Sequence, residues 1–75
     1  MSIASYFQEI DSRFSYIAHD KDGAITAYTH KPYKDGDEWC MNFMVPNADC
    51  ILLKRGDSSI SIPNWEDSLI KRGEE

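Results

Sequence analysis

The chain begins with apolar residues spaced as on one face of a helix. This i, i+3, i+4, i+7 pattern predicts an amphipathic helix over residues 3–10. The apolar positions that share the face are Ile3, Tyr6, Phe7 and Ile10. Two serines compete for its start, because Ser5 has capping-box spacing to Gln8 and Ser2 would serve equally well.

From residue 14 onward the pattern changes to that of β-strands. Residues 14–19 and 24–29 are rich in aromatic and β-branched side chains, as strands are. Between them, Asp20-Lys21-Asp22-Gly23 is typical of a three-residue hairpin loop that ends with glycine in the left-handed region. This loop predicts the register of the hairpin, in which Tyr16 faces Tyr28, Ile17 faces Ala27, and Ala18 faces Thr26.

Two further strands are predicted after the hairpin. A second turn, at residues 34–36, leads into a strand over 38–45, and turn residues at 46–49 lead into a strand over 50–54. If the loop at 34–36 has three residues, His30 lies directly opposite Cys40.

The last segment carries helix start and stop signals. Asn64 is a suitable N-cap, and the first-turn acids and last-turn bases would complement the helix dipole. These charged residues are Glu66, Asp67, Lys71 and Arg72, with Gly73 at the stop. Trp65 and Leu69 would share the face that docks on the sheet. The sequence therefore predicts one α+β domain over residues 1–75, with a short N-terminal helix, a four-stranded antiparallel meander, and a short C-terminal helix packed on the sheet.

Composition narrows the class of protein. The chain has 75 residues, 41% of them hydrophobic, and a formal net charge of −5. This length leaves no room for a separate cofactor domain, and the negative net charge disfavours direct binding to nucleic acid. The longest apolar run is three residues, or four at 50–53 if cysteine counts as apolar, which is far shorter than the roughly 20 residues that a membrane span needs. Residues 1–5 show no secretory signal pattern, so we expect an intracellular protein whose two cysteines are free buried thiols rather than a bridge.

Three kinds of reactive site are suggested by residue type but not by residue spacing. The loop at 20–23 resembles a calcium-binding EF loop, but the first and last ligand positions would fall on Ala18 and Thr29. The zinc ligand types present, His19, His30, Cys40 and Cys50, lack the spacing of a structural zinc site. A His30–Cys40 pair has no surrounding catalytic motif. We therefore expect no metal, no cofactor and no enzymatic activity.

Acidic turns are the candidate functional feature that remains. A meander would gather Asp20, Asp22 and Asp49 at one end of the sheet, and Asp35, Asp37, Glu38 and Asp57 at the other, beside Trp39. Trp39 is open to two interpretations, a core residue or the aromatic anchor of an interface. The predicted partner-binding residues are Asp20, Asp22, Asp35, Asp37, Glu38, Trp39 and Asp57. The negative net charge of the chain is compatible with binding to a basic partner, and it is also explained by solubility alone.

Four short motifs also point to a group of proteins. They are Asp20-Lys21-Asp22-Gly23, Lys31-Pro32, Glu38-Trp39 and Asn64-Trp65-Glu66-Asp67-Ser68-Leu69. Over residues 14–70 this pattern resembles a loose group of small bacteriophage accessory proteins that share a D-x-D-G … K/E-P … W … W-x-x-S-L skeleton. The resemblance implies a phage-encoded protein made in the cytoplasm of a bacterial host, and no catalytic residues.

Small non-enzymatic phage proteins commonly bind and block host proteins, among them CRISPR effectors and restriction enzymes with basic nucleic-acid channels. The leading hypothesis is therefore an inhibitor that binds a basic surface of a host protein, such as a defence complex, without contacting nucleic acid or membrane. One alternative is a protein that sequesters a nucleotide or another small anion. Its available cations are Lys31, Lys34, Lys54 and Arg55. Another alternative is a virion or assembly component.

Overall fold

The computed structural model of the protein describes residues 3–74 and is mostly β. Six short strands and two 3₁₀ turns follow one another along the chain. In order they are a first 3₁₀ turn at Ile3–Gln8, β1 at Tyr16–His19, β2 at Ile25–Tyr28, β3 at Tyr33–Asp35, β4 at Glu38–Cys40, β5 at Cys50–Lys54, a second 3₁₀ turn at Trp65–Asp67, and β6 at Ile70–Lys71. The predicted α+β class is thus wrong in its helical part, because the described residues contain no α-helix.

Four of the strands form an antiparallel sheet in the order β5-β2-β1-β6. The hairpin between β1 and β2 has the predicted register, with Tyr16 opposite Tyr28 and Ile17 opposite Ala27. Gly23 supplies the left-handed residue of its turn, with φ of 87°. Local turn chemistry was therefore sufficient to determine this pairing.

The predicted meander is wrong because β3 and β4 leave the main sheet and form a hairpin of their own. Asp35 lies opposite Glu38, so the connecting loop has two residues, Gly36 and Asp37, instead of three. The shorter loop shifts the register and places Tyr33, not His30, opposite Cys40.

The predicted third strand is also too long. β4 ends at Cys40, residues 41–49 run through turns, and the chain then returns along β2 as β5.

The predicted C-terminal helix is replaced by one 3₁₀ turn and the strand β6. Asn64 has a left-handed backbone, with φ of 60°, and makes no side-chain cap bond. Ile70 lies opposite Ile17 in β1, so the main sheet satisfies backbone groups that a helix would have paired internally. An isolated helix of about two turns is unstable in water, and pairing with an existing strand is the stronger interaction.

The N-terminal segment keeps the predicted inward face but has a tighter backbone. Phe7 is buried, and Ile3, Tyr6 and Ile10 pack against the same cluster, as their spacing predicts. The segment is nevertheless a 3₁₀ helix rather than an α-helix. The alternative helix start at Ser2 lies outside the described residues.

Apolar side chains cover both faces of the main sheet. On one face, Ile17, Ile25 and Ala27 contact the N-terminal segment; on the other, Ala18 and Tyr28 contact Trp39 and Trp65. The main sheet is therefore packed between the N-terminal segment on one face and the β3–β4 hairpin with the C-terminal segment on the other.

The structure can be compared with two further predictions, one about a membrane span and one about the cysteines. Across residues 3–74, no helix has the length and apolar character needed to cross a membrane. Cys40 and Cys50 are free thiols, but only Cys40 is even partly buried, since Cys50 lies exposed at the start of β5.

Candidate acidic interface

Four carboxylates line one open cleft of about 410 Å³, which we call the acidic cleft. Asp20 and Asp22 come from the β1–β2 turn, whereas Asp37 and Glu38 come from the β3–β4 turn. The other lining residues are Lys21, Ser58, Ile60 and Ser61. The cleft therefore forms where two turns, distant in the sequence, meet a third segment of chain.

Asp20 connects the two turns. Its carboxylate accepts a hydrogen bond from the backbone N–H of Trp39 at 2.8 Å, and its backbone carbonyl accepts one from Gly23 at 2.9 Å. The backbone N–H of Lys21 also donates to the carbonyl of Asp37 at 3.2 Å. These contacts hold the β3–β4 hairpin against the end of the main sheet.

The segment that follows β5 closes the other side of the β1–β2 turn. Asp57 donates its N–H to the carbonyl of Asp22 at 2.8 Å, and Ile62 donates to the carbonyl of Lys21 at 2.7 Å. The Asp22 side chain accepts from the N–H of Ala24 at 3.0 Å and lies directly against Gly56, where a Cβ would collide with it. The acid-rich turn is thus fixed between two other segments before any partner binds.

The electrostatics of the cleft are unfavourable for the carboxylates themselves. Partial burial raises the pKa of Asp20, and the hydrogen bond from Trp39 opposes that rise. The nearby charges of Asp22 and Glu38 add to it. When carboxylates are held close together and partly desolvated, their repulsion is relieved by an approaching cation, which therefore stabilises them.

Cations compensate little of this charge. The ammonium nitrogen of Lys21 lies 3.9 Å from a carboxylate oxygen of Asp37, and both side chains are largely exposed. Asp57, beside the cleft, has its pKa lowered by hydrogen bonds from the backbone and hydroxyl of Ser59, so it remains a carboxylate. The lining of the cleft therefore keeps an excess of negative charge, with four acidic side chains and one lysine.

The predicted grouping of the acids at two ends is wrong. Asp37, Glu38 and Asp57 lie beside Asp20 and Asp22, because the β3–β4 hairpin folds back over the end of the sheet. Asp49 lies elsewhere, in an exposed ion pair with Arg13 at 3.0 Å. Asp35 is exposed on β3, opposite Glu38, and does not line the cleft.

Trp39 is a core residue in this structure. Its side chain is 8% exposed and packs with Ala18, Tyr28 and Trp65. Its backbone N–H binds the carboxylate of Asp20 and so helps to position the acidic cleft. Its side chain is not the exposed aromatic anchor of an interface.

The four cations of the small-anion alternative do not converge. The ammonium nitrogen of Lys34 lies 6.0 Å from the ring centroid of Trp39, and Lys31 lines a separate depression beside Tyr16. Only Lys54 and Arg55 share a cleft, of about 330 Å³. Three isoleucines, Ile25, Ile60 and Ile62, also line it, and so do Asp22 and Asp57, whose carboxylates offset the two cations.

Cys40, Cys50 and His30 are three of the side chains whose residue type suggests reactivity. Partial desolvation and nearby carboxylates raise the pKa of both thiols, with Glu38 beside Cys40 and Asp49 beside the more exposed Cys50, which is the opposite of what a nucleophilic cysteine needs. His30 is exposed and its Nδ1 lies 2.9 Å from the hydroxyl of Thr29. Within residues 3–74, no three histidine, cysteine or acidic side chains are grouped so that they could hold a metal ion.

Sequence reasoning missed the wall formed by residues 58–61. Ser58, Ile60 and Ser61 lie in an irregular segment without the periodicity of a strand or helix. The side chain of Ile60 lies 3.0 Å from the position that a Cβ on Gly23 would occupy. No local signal could have placed this segment against the β1–β2 turn.

Comparison of the chain with protein-family models, with curated proteins and with solved structures finds no match. The geometry and charge of the acidic cleft are therefore the features from which a function can be inferred.

Proposed function

We propose that this protein is a non-enzymatic binding domain whose acidic cleft docks on a basic surface of a partner protein. The observation that carries the proposal is the convergence of Asp20, Asp22, Asp37 and Glu38 on one cleft, from two turns that are held together by hydrogen bonds. Charge complementarity of this kind raises the association rate and the specificity of a complex more than its affinity.

The rigidity of the acidic turn supports a binding role. The β1–β2 turn is held on one side by Trp39 and Asp37, and on the other by Asp57 and Ile62. A surface that is already ordered loses little conformational entropy when it binds. The carboxylates would meet a cationic partner without rearrangement.

The class of partner is a host bacterial protein with a basic groove. Defence complexes that bind nucleic acid are the first candidates, because an acidic domain can occupy a channel built for phosphates. This narrower hypothesis is supported by the motif resemblance to small bacteriophage accessory proteins. The acidic cleft would then act as an inhibitor by occupying the channel.

Charge reversal at two positions tests the proposal. Asp37 and Glu38 are exposed and line the cleft, so replacing both with lysine changes its charge without removing the structural bonds of Asp20 and Asp22. The matched control is Glu66→Lys/Asp67→Lys, which replaces two exposed acids outside the cleft and changes the net charge by the same amount. The tagged proteins are used to capture partners from bacterial lysate, and the wild-type capture is repeated at higher salt.

We expect a host protein that the wild type and the control retain and that the Asp37→Lys/Glu38→Lys variant loses. Binding should also fall between 0.1 M and 0.5 M salt, as the Debye length shrinks from about 10 Å to about 4 Å. Retention of the same partner by the reversed variant would contradict the acidic-cleft proposal. Addition of nucleic acid should compete with capture if the partner surface is a nucleic-acid channel, and an absence of competition would contradict the inhibitor hypothesis alone.

The cleft beside Lys54 and Arg55 supports a second candidate, the binding of a small amphipathic anion. Its isoleucines could contact the apolar part of one ligand and its two cations the anionic part, against the repulsion of Asp22 and Asp57 in the same lining. Calorimetric titration with a panel of nucleotides tests it. Heat that is lost in the Lys54→Ala/Arg55→Ala variant would favour this candidate over protein binding.

A further inference from the structure

The cleft of about 330 Å³ that contains Lys54 and Arg55 is a second concave site, which we call the isoleucine cleft. It adjoins the acidic cleft, with which it shares Asp22 and Ile60. Its volume lies at the small end of the range of ligand sites, roughly 300–1,000 Å³. An apolar wall with a few charged groups, as this cleft has, is typical of sites for small molecules.

The apolar wall forms over Gly23, which has no side chain to fill the space. A Cβ at Gly23 would lie 3.0 Å from Cδ1 of Ile60 and 3.7 Å from Cγ1 of Ile62. Ile25 is buried in the same lining, whereas Ile60 is 45% exposed. The wall therefore presents an aliphatic surface to solvent, and covering that surface with the apolar part of a ligand favours binding.

Two cations line the isoleucine cleft without partners of their own. Lys54 is the last residue of β5, and Arg55 follows it. Within residues 3–74 neither side chain makes a hydrogen bond, and neither lies within ion-pair distance of a carboxylate. Both positive charges are therefore available to an anionic group in the cleft.

Two carboxylates line the same cleft, and each has one oxygen without a partner. Oδ1 of Asp22 accepts from the N–H of Ala24 at 3.0 Å, and Oδ1 of Asp57 accepts from the N–H and hydroxyl of Ser59 at 2.9 and 2.7 Å. In the part of the chain that the structure describes, the second oxygen of each accepts no hydrogen bond. The carboxylates are thus fixed in position and still able to accept from a ligand.

Hydrogen bonds join the walls of the isoleucine cleft before a ligand arrives. The N–H of Asp57 donates to the carbonyl of Asp22 at 2.8 Å, and that of Ile62 donates to the carbonyl of Lys21 at 2.7 Å. The N–H of Ile60 donates to the carbonyl of Asp57 at 3.0 Å. A site that is already ordered loses little conformational entropy when it binds.

The balance of charge in the lining limits the class of ligand. The cleft has two positive and two negative side chains, Lys54, Arg55, Asp22 and Asp57, which do not pair directly with each other. A simple anion would be attracted by one pair and repelled by the other, and the reverse holds for a simple cation. A molecule with both a carboxylate and an ammonium group has a favourable partner for each pair.

We infer that the isoleucine cleft binds a small aliphatic zwitterion, the class that includes aliphatic amino acids and their dipeptides. The ligand carboxylate binds Lys54 and Arg55, its ammonium group donates to Asp22 and Asp57, and its side chain covers Ile60. The inference deepens the second candidate function, ligand binding in this cleft, and rests on it; docking of the acidic cleft is not needed. Since the charges are exposed to solvent, the binding is weak.

An NMR titration of isotope-labelled protein tests the class of ligand, because it detects weak binding and locates it. The probes are leucine and leucyl-leucine. Three analogues of leucine each lack one feature: isocaproate lacks the ammonium group, isoamylamine lacks the carboxylate, and glycine lacks the aliphatic side chain. We expect at least one probe to shift the amide signals of Gly23 and Ile62, and each analogue to bind about fivefold or more weakly than that probe.

The titration separates failure of the inference from failure of the candidate function. Isocaproate that binds as tightly as the better probe would overturn the zwitterion inference and leave the small-anion candidate in place. An absence of shifts with both probes and with isocaproate would overturn both. Shifts confined to residues outside the isoleucine cleft would also overturn the inference.

Substitution of one carboxylate gives a second test with an opposite sign for two ligands. Asp57→Asn removes a negative charge but keeps an oxygen that can accept from Ser59. It should weaken binding of leucine about three- to fivefold and strengthen binding of isocaproate, since it removes an attraction for the ammonium group and a repulsion for the carboxylate. Asp67→Asn, at an exposed position outside both clefts, is the matched control and should change neither. Leucine binding that is unchanged by Asp57→Asn would contradict the inference.

Discussion

The indole N–H of Trp39 donates a hydrogen bond to the backbone carbonyl of Trp65 at 3.3 Å. Both tryptophans are buried, and they come from segments 26 residues apart in the chain. Trp39 also donates its backbone N–H to Asp20 and accepts at its carbonyl from the hydroxyl of Tyr28 at 3.2 Å. One residue therefore joins the β3–β4 hairpin, the C-terminal segment and the main sheet.

Removal of the indole N–H should destabilise the fold. Trp39→Phe keeps an aromatic ring but leaves the Trp65 carbonyl without this donor, and it also leaves a smaller side chain in the core. We expect a loss of about 2–3 kcal/mol in the free energy of unfolding, measured by urea denaturation. Tyr33→Phe, at an exposed position, should change the stability little. An unchanged midpoint for Trp39→Phe would show that the tryptophan contact does not hold these segments together.

Tyr28 should make the stability fall in alkaline solution. Burial raises the pKa of its phenol well above the ordinary value, with a smaller contribution from the charge of Asp20. The folded state therefore holds the phenolic proton more tightly than the unfolded state does. This contribution is complete below the unfolded pKa of about 10 and is lost as the pH rises toward the folded pKa.

Tyr28→Phe isolates that contribution. The variant should be about 1 kcal/mol less stable near neutral pH, because the Trp39 carbonyl loses its hydroxyl donor. Above pH of about 10 its free energy of unfolding should fall less steeply than that of the wild type. Denaturation curves at neutral and alkaline pH measure both effects, and parallel pH profiles would contradict a raised pKa for Tyr28.

Ser68 satisfies both backbone groups of one residue at the end of β1. Its hydroxyl oxygen accepts from the N–H of His19 at 3.0 Å, and the hydroxyl donates to the carbonyl of His19 at 3.1 Å. Ser68→Ala should cost about 1–2 kcal/mol, since it leaves two partly buried groups without these partners. Hydrogen exchange at the His19 amide should accelerate. Ser12→Ala, at an exposed position, is the control; if both variants exchange alike at His19, the proposed role of Ser68 is wrong.

Arg72 binds the N-terminal segment through several carbonyl groups at once. Its guanidinium donates to the carbonyls of Phe7, Asp11 and Phe14 at 2.9–3.2 Å, and its Cζ lies 4.6 Å from the ring centroid of Phe7. Lysine offers one compact charge and cannot make this planar set of bonds. Arg72→Lys should therefore cost about 1–2 kcal/mol, as measured by thermal or urea unfolding.

The adjacent Lys71→Ala provides the control for Arg72. The side chain of Lys71 is exposed, so its loss should change the free energy of unfolding by no more than about 0.5 kcal/mol. Equal effects at positions 71 and 72 would indicate that charge alone, and not the carbonyl contacts, stabilises this end of the chain.

The contacts of Arg72 also explain why the sequence suggested a helix. A basic pair before Gly73 is typical of a helix end, where cations meet unsatisfied carbonyl groups. Arg72 does bind free carbonyls, but they belong to the N-terminal segment and its following turn. The prediction of a helix end at these residues is therefore wrong, because the carbonyls that Arg72 binds lie at the other end of the chain.

The sequence by itself determined the β1–β2 hairpin, its register and the inward face of the N-terminal segment. These features depend on neighbours in the chain: the glycine turn at residues 20–23 and the spacing of Phe7 with its apolar companions. The placement of Asp20 and Asp22 in that turn follows for the same reason, whereas their role in binding stays a prediction.

Only the tertiary structure decided how the remaining segments are arranged. Whether residues 70–71 form a helix or a strand depends on the edge of β1, which no local pattern in those residues encodes. The acidic cleft depends on a hydrogen bond between Asp20 and Trp39, 19 residues apart, and on the packing of Ile60 beside Gly23. Short segments have weak intrinsic preferences, so the long-range contacts that bury their apolar side chains and pair their backbone groups determine the final fold.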